Sequence, residues 1–352
     1  MTLGRHTQTQ SGPAHASMRF HTIEPILVFI TICLISYPSF FEIYRVMAFD
    51  VIPRDNYAPF LLHLVGGKGS WPGSPFGYRV LSVLAAAPFY WVLPIYKFSL
   101  LPKHDIADLR ALQALAFLSF VSSAGSATVA FQLFRRRLGS DVDLAALAAV
   151  ITIVLSAFFD RTGLDAFGIF VIFAFFYWLE RVAIFTTLFL LVPFINEKII
   201  VFFLLLLISR SIFVSGFAAS HRWQTGSVVI ALLIYLSVLA VVRLPGNEFQ
   251  IASSHWLPHL GDMTLTSVSS IKGVVLNVLP VFVIITPCAL LSFYHRTSTE
   301  LTAVSDLIVP LGLLITALVA TFGYTVGHVV SYALPLTVIS STILLAPGST
   351  SV

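Results

Sequence analysis

The chain has 352 residues, of which 57% are hydrophobic and only 10% charged, with a net charge of +4 and a mean hydropathy of +0.93. Soluble domains carry roughly 25% charged residues, so a water-exposed globular surface is excluded, and the scattered positive excess excludes a nucleic-acid footprint. Apolar runs of roughly 17 to 25 residues leave room for about ten membrane spans on short connections. The expected fold is an all-α polytopic bundle of 10–11 spans.

Residues 1–22 form a polar tail with Arg5 and Arg19. The integral membrane domain is expected over 23–347. Its first apolar run, 25–46, is too long for a signal-peptide core and is read as a retained anchor. Further candidate spans are 78–100, 109–133, 142–159, 163–179, 182–195, 199–217, 227–243, 273–294, 302–322 and 328–346. Two long connections, 47–77 and 244–272, interrupt an otherwise minimal loop pattern, and long loops are where function concentrates.

Lys and Arg in short loops set orientation. With a cytoplasmic N-terminus and eleven full crossings, the Arg135-Arg136-Arg137 cluster would lie outside, against that rule. If 78–100 or 109–133 fails to cross, the cluster falls inside with Arg181, Arg222 and Arg296, and ten spans remain. Pro88 and Pro94 interrupt the first of these segments, and the Ser/Gly run Ser119–Ser126 weakens the second, so the alternatives stay open. Ten spans would also put loop 47–77, the Asp160–Asp165 turn, the Asn196-Glu197-Lys198 turn and loop 244–272 on one outer face.

After the first span come Asp50, Asp55 and Tyr57, then Gly66-Gly67-Lys68-Gly69, then Ser74-Pro75-Phe76-Gly77-Tyr78-Arg79. A carboxylate at headgroup depth can take a proton from a hydroxyl or hold a cation, and an Arg there can pair with a phosphate. Alternatively, the acids are solvated, Tyr57 and Trp71 form an interfacial belt and Arg79 snorkels. Asp160, Asp165 and Glu197 sit at span ends, where Asp165 could simply cap a helix. Loop 244–272 holds His255 and His259, but Pro258 between them spoils helical spacing for a metal pair. Glu180-Arg181 reads as a local ion pair, Arg210 as the deepest mid-span charge, and Asp306 and His328 as ionisable groups beside late spans. Cys33 and Cys288 fall in apolar runs and offer no CxxC spacing.

The layout of the first loop, an acidic residue with Tyr57 two positions later, a Gly, and Pro-Phe-Gly-Tyr-Arg leading into the next segment, resembles the GT-C superfamily of membrane glycosyltransferases, nearest its mannosyltransferase branch. The turns Asp160-Arg161-Thr162-Gly163-Leu164-Asp165 and Asn196-Glu197-Lys198 are similar to turns of such enzymes, and the likeness covers about half the chain. An Asp-x-Asp or Asp-Glu pair is missing, since Asp50 and Asp55 lie five apart, and no large soluble C-terminal domain follows.

The resemblance implies transfer of a sugar from a polyprenyl-phosphate donor to a glycan, lipid or protein acceptor at the outer face of a bacterial inner membrane. It makes Asp55 or Asp50 the base or the carboxylate that holds a divalent cation. Arg79, with Arg161 or Lys198, would hold the lipid-linked phosphate. Tyr57, Tyr78, Asp160, Glu197, His255 and His259 would complete the substrate site. A polysaccharide polymerase or ligase would share the donor. A transporter or flippase would instead need mid-span charges and broken helices.

Overall fold

A computed structural model describes residues 14–49, 53–66, 68–72, 76–95, 105–159, 164–242, 278–294, 300–319 and 329–345. Asp50, Asp160, Arg161, His255, His259, His328 and loop 244–272 lie outside the described residues. Every regular element among the described residues is helical.

Helix α1 (Ala14–Phe49) is followed by a π-helical turn, Pro53–Tyr57, and α2 (Ala58–Gly66). Residues 14–22 of the expected tail therefore belong to α1. Short helices α3 (Val80–Leu84) and α4 (Ala87–Val92) precede the long α5 (Ile106–Gln132), α6 (Val142–Phe159) and α7 (Asp165–Tyr177). Then come α8 (Val182–Phe189), α9 (Glu197–Phe213), α10 (Phe217–Ser220) and α11 (Arg222–Val241). Helices α12 (Leu279–Tyr294), α13 (Glu300–Val319) and α14 (Leu334–Leu345) complete the set among the described residues. Among the described residues, three stretches, Ile23–Phe49, Ile106–Arg137 and Arg222–Val241, are long and apolar enough to cross a membrane. Other helices contribute apolar stretches of 10–17 residues, among them Val142–Ser156, Asp165–Tyr177 and Asp306–Thr316, which are compatible with contact with a lipid bilayer.

The two doubtful segments behave differently. The 109–133 stretch lies in one continuous helix, within which its Ser and Thr hydroxyls find their partners: Ser126 donates to the Ser122 carbonyl at 3.0 Å and Thr128 to that of Ala124 at 2.9 Å. Its small residues serve close packing instead. A Cβ on Gly125 would stand 2.8 Å from the Phe170 ring of α7. The 78–100 stretch is the broken one. Helix α3 ends at Leu84, Pro88 sits in the first turn of α4, and Leu93 is extended at the end of α4, just before Pro94, as the missing amide and fixed ring of proline require.

Helices α1 and α5 run antiparallel. The Tyr44 hydroxyl, late in α1, donates to the Leu109 carbonyl at the start of α5 at 3.3 Å, whereas Glu24, early in α1, pairs with Arg136 beyond the end of α5 at 3.6 Å. The segment from 50 to 105 thus returns to the end of the molecule that it leaves. The basic cluster gathers at the opposite end: Arg137 pairs there with Glu180 and donates to the Tyr177 carbonyl at 3.0 Å. Glu180 is therefore bound to Arg137 across helices, which corrects the expected local pair with Arg181. Gln224, at the start of α11, joins the same end through the Leu179 carbonyl at 2.8 Å.

Two apolar cores hold the arrangement. The larger centres on α5, α6, α7, α9, α12 and α14, with an aromatic knot of Phe175, Phe185, Phe189 and Phe203 whose centroids lie 5.0–6.1 Å apart. The smaller joins the end of α1 to α2, α3 and the first half of α5 through Phe40, Tyr44, Phe60 and Leu112. Next to α2, Gly69 has no room for a side chain, since a Cβ there would stand 1.7 Å from the Pro59 carbonyl oxygen. That contact folds residues 68–72 back over α2 and lets Trp71 pack on Phe60 at 4.6 Å.

Candidate functional site

At the end of the molecule opposite Arg135–Arg137, five elements distant in sequence deliver polar side chains to one buried cluster. The π-turn supplies Tyr57, the residue before α3 supplies Arg79, the start of α9 supplies Glu197 and Lys198, and the short 3-10 turn Ser331–Ala333 supplies Tyr332. Asp165 joins from the start of α7. Tyr57, Arg79, Asp165, Glu197 and Tyr332 are all buried.

Arg79 is the centre of one half. Its Nη2 meets Glu197 Oε1 at 2.5 Å, its Nε meets Oε2 at 3.2 Å, and its Nη1 donates to the Tyr57 hydroxyl at 2.8 Å. The fork geometry of guanidinium matches the carboxylate, and such bidentate, charge-assisted pairing is what makes two buried charges tolerable. Glu197 also opens α9, where the positive end of the helix dipole favours a carboxylate. Burial pushes the Tyr57 phenol up to about 12 despite the neighbouring Arg79 charge.

The other half is a relay. Asn196 caps α9, its side-chain oxygen accepting from the Lys198 amide at 3.1 Å, while its amide group donates to the Tyr332 hydroxyl at 2.6 Å. That hydroxyl donates to Asp165 Oδ1 at 2.8 Å, and the same oxygen takes the Lys198 ammonium at 3.3 Å. Lys198 Nζ also stands 5.0 Å over the Tyr332 ring. Asp165, in the first turn of α7, is thus engaged with Tyr332 and Lys198. Opposite charges balance within the cluster, Arg79 against Glu197 and Lys198 against Asp165.

Of the residues singled out in the sequence, Tyr57, Arg79, Asp165, Glu197 and Lys198 converge. Tyr78 sits at the rim with its hydroxyl donating to the Val242 carbonyl at 2.7 Å, which ties the turn before α3 to the end of α11. Ser82 ties α3 to the Ile195 carbonyl at 2.7 Å. Asp55 lies two residues from Tyr57 on the same π-turn but is exposed, receiving Arg54 Nε at 2.6 Å and Nη2 at 3.0 Å. Asp50, Asp160, Arg161, His255 and His259 fall outside the described residues. Tyr332 was missed by sequence reasoning, although a phenol entering an apolar run needs a partner when buried, and that was a usable signal.

Among the described residues, no three His, Cys, Asp or Glu side chains come together as a metal site, so a divalent cation is assigned no ligands. A cavity of about 80 Å³ adjoins the cluster, with Glu197 and Lys198 at its edge. Away from the site, Arg210 of α9 pairs with Asp306 of α13 at 2.9 Å, so the deepest charge is matched across two helices.

Comparison with protein-family models, curated proteins and solved structures finds no match to this chain.

Proposed function

We propose that the protein is a polytopic membrane glycosyltransferase of the GT-C kind, moving a sugar from a polyprenyl-phosphate donor to an acceptor at the outer face of the membrane. The observation that carries this reading is the convergence of Tyr57, Arg79, Glu197 and Lys198 on one buried cluster at the end opposite Arg135–Arg137. The positive-inside tendency places the Arg135 end in the cytoplasm and the cluster outside. Ten crossings follow: α1, α5, α6, α7, α8 with its following turn, α9, α11, α12, α13 and α14, with α3 and α4 as a re-entrant segment.

In this reading the two faces of the π-turn divide the work. Tyr57 faces inward to Arg79, and Asp55 faces water, from which the acceptor arrives. Asp55 exchanges Arg54 for the acceptor hydroxyl and takes its proton as the oxygen attacks the anomeric carbon. The bond from that carbon to the phosphate oxygen breaks, and the lipid phosphate leaves with the electron pair. Lys198 and Arg79 stabilise its added negative charge. One displacement inverts the anomeric centre. The Arg210–Asp306 pair favours a second reading, a transporter or flippase, because matched charges between helices mark transport paths.

The deciding experiment supplies radiolabelled polyprenyl-phosphate sugars to the purified protein with membrane glycan acceptors. Asp55→Asn abolishes transfer while expression and insertion stay at the wild-type level. Full transfer by that variant removes Asp55 from the mechanism, and substrate movement across vesicles without transfer favours the transporter.

A further inference from the structure

The Arg79–Glu197 pair is closed off from water, each side chain being only 8% exposed. A ligand reaches those charges only if the packing around them parts, and the two apolar cores show where it can. The smaller core takes Val83 of α3 and Ala86 at the α3–α4 junction, with Phe89 and Tyr90 of α4 packed on it. The larger takes Val192 of the 3-10 turn Val192–Phe194, Ile199 of α9 and Tyr235 of α11. Among the described residues, none from α3 or α4 joins the larger core, and none from that turn, α9 or α11 joins the smaller.

The boundary between α3 and the α9–α11 side is therefore a seam without a common apolar core, and the bonds that cross it are polar. Arg79 holds Glu197, the Tyr78 hydroxyl donates to the Val242 carbonyl at 2.7 Å, and the Ser82 hydroxyl donates to the Ile195 carbonyl at 2.7 Å. Tyr57 stays with Arg79 on the smaller-core side. Parting such a seam exposes little carbon, so the hydrophobic cost is small. Water replaces the lost hydrogen bonds, and both charges regain hydration together, so neither is stranded in a dry site.

The far side of the smaller core is built differently. Helix α5 runs through both cores, with Leu112 and Leu115 in the smaller and Ala127 and Phe131 in the larger, and Leu164 before α7 packs into the smaller core as well. Shared carbon makes that side a pivot. The turn Ala85-Ala86 and the extended Leu93 bound α4, and breaks of this kind at element ends absorb the backbone change that a hinge needs.

We propose that the smaller core turns as one body about α5 and opens the seam between α3 and the α9–α11 side, with the Tyr78, Arg79 and Ser82 bonds as the latch over the charged cluster. The proposal rests on reading that cluster as a place that a ligand reaches, for transfer or for transport, and it adds the way in. The closed seam keeps water from Arg79 and Glu197. The open seam presents the guanidinium and the carboxylate at the end opposite Arg135–Arg137.

The test uses the full chain in maltoside micelles with Cys33 and Cys288 replaced by Ala, so that single introduced thiols report. Ser82→Cys lies in the seam and Ala111→Cys lies within the smaller core, both at buried positions. A small charged thiosulfonate modifies Ser82→Cys and leaves Ala111→Cys unmodified. Tyr78→Phe, which removes one latch bond, raises the Ser82→Cys rate about tenfold, the equivalent of about 1.4 kcal/mol, and leaves Ala111→Cys unmodified. Should Ser82→Cys fail to fold, spin labels at exposed sites carry the same question: Trp91 of α4 paired with Leu236 of α11 across the seam, and Trp91 paired with Phe49 of α1 within one body. Tyr78→Phe lengthens the first distance and leaves the second unchanged. Equal modification of the two thiols, no reaction at Ser82→Cys even with Tyr78→Phe, or an unchanged Trp91–Leu236 distance overturns the proposal. Opening seen in a protein inactive toward every polyprenyl-phosphate sugar sustains it and removes only the transferase reading.

Discussion

Arg79 and Glu197 stand 118 positions apart in sequence and meet as a bidentate pair at 2.5 and 3.2 Å, both buried. The pair pins the segment before α3 to the start of α9. Removing one partner strands the other charge away from water, which costs about 3–5 kcal/mol. Arg79→Met and Glu197→Gln each lower the thermal unfolding midpoint in detergent strongly, and the double variant loses less than the sum because neither charge is stranded. Additive losses would mean that the two side chains act independently.

Gly168 of α7 lies against Tyr332, where a Cβ would stand 2.7 Å from the phenolic oxygen. Gly168→Ala therefore pushes the ring away from Asp165 and Asn196 and costs about 1–3 kcal/mol, the usual range for overpacking. Adding Tyr332→Phe removes the nearest clashing atom, so the double variant is less destabilised than the two single losses predict. Denaturant titration of the four proteins reads the coupling.

Burial favours the neutral form of Tyr57 and raises its phenol to about 12. Its contribution to stability is complete below the ordinary tyrosine range near 10 and is lost as pH rises through about 12. Tyr57→Phe keeps the ring and discards the ionisation, so its alkaline unfolding midpoint lies at higher pH than that of the parent. An unchanged or lower midpoint, followed by circular dichroism, contradicts the assignment.

Ser140 follows the Arg135–Arg137 turn, with Gly139 at φ 64°, and its carbonyl accepts from Arg135 at 3.2 Å. A Ser140→Cys variant is labelled by an impermeant maleimide from the cytoplasmic side only. Labelling from outside would reverse the orientation and move the Arg79 cluster to the cytoplasm.

Much of the site was readable as residues and little of it as a site. Tyr57, Arg79, Glu197 and Lys198 stood out because charged and phenolic groups at apolar boundaries are costly and few. Their partners did not: Glu180 has Arg181 beside it in sequence yet pairs with Arg137, because the ends of α5 and α7 lie together. Asp165, at the start of a helix, meets Tyr332, 167 residues away.

Composition alone determined that the chain is helical and apolar, because only helices satisfy every backbone amide within a segment that short connections and few charges cannot keep in water. It left open which of two segments is continuous. The structure resolves that: 109–133 runs on as one helix packed antiparallel to α1, with Tyr44 at one end and Glu24 at the other, while 78–100 breaks at its prolines. The same packing gathers Arg79, Glu197, Lys198, Asp165 and Tyr332. Charge matching of that kind depends on which helix ends are neighbours in space, and no local pattern along the chain encodes it.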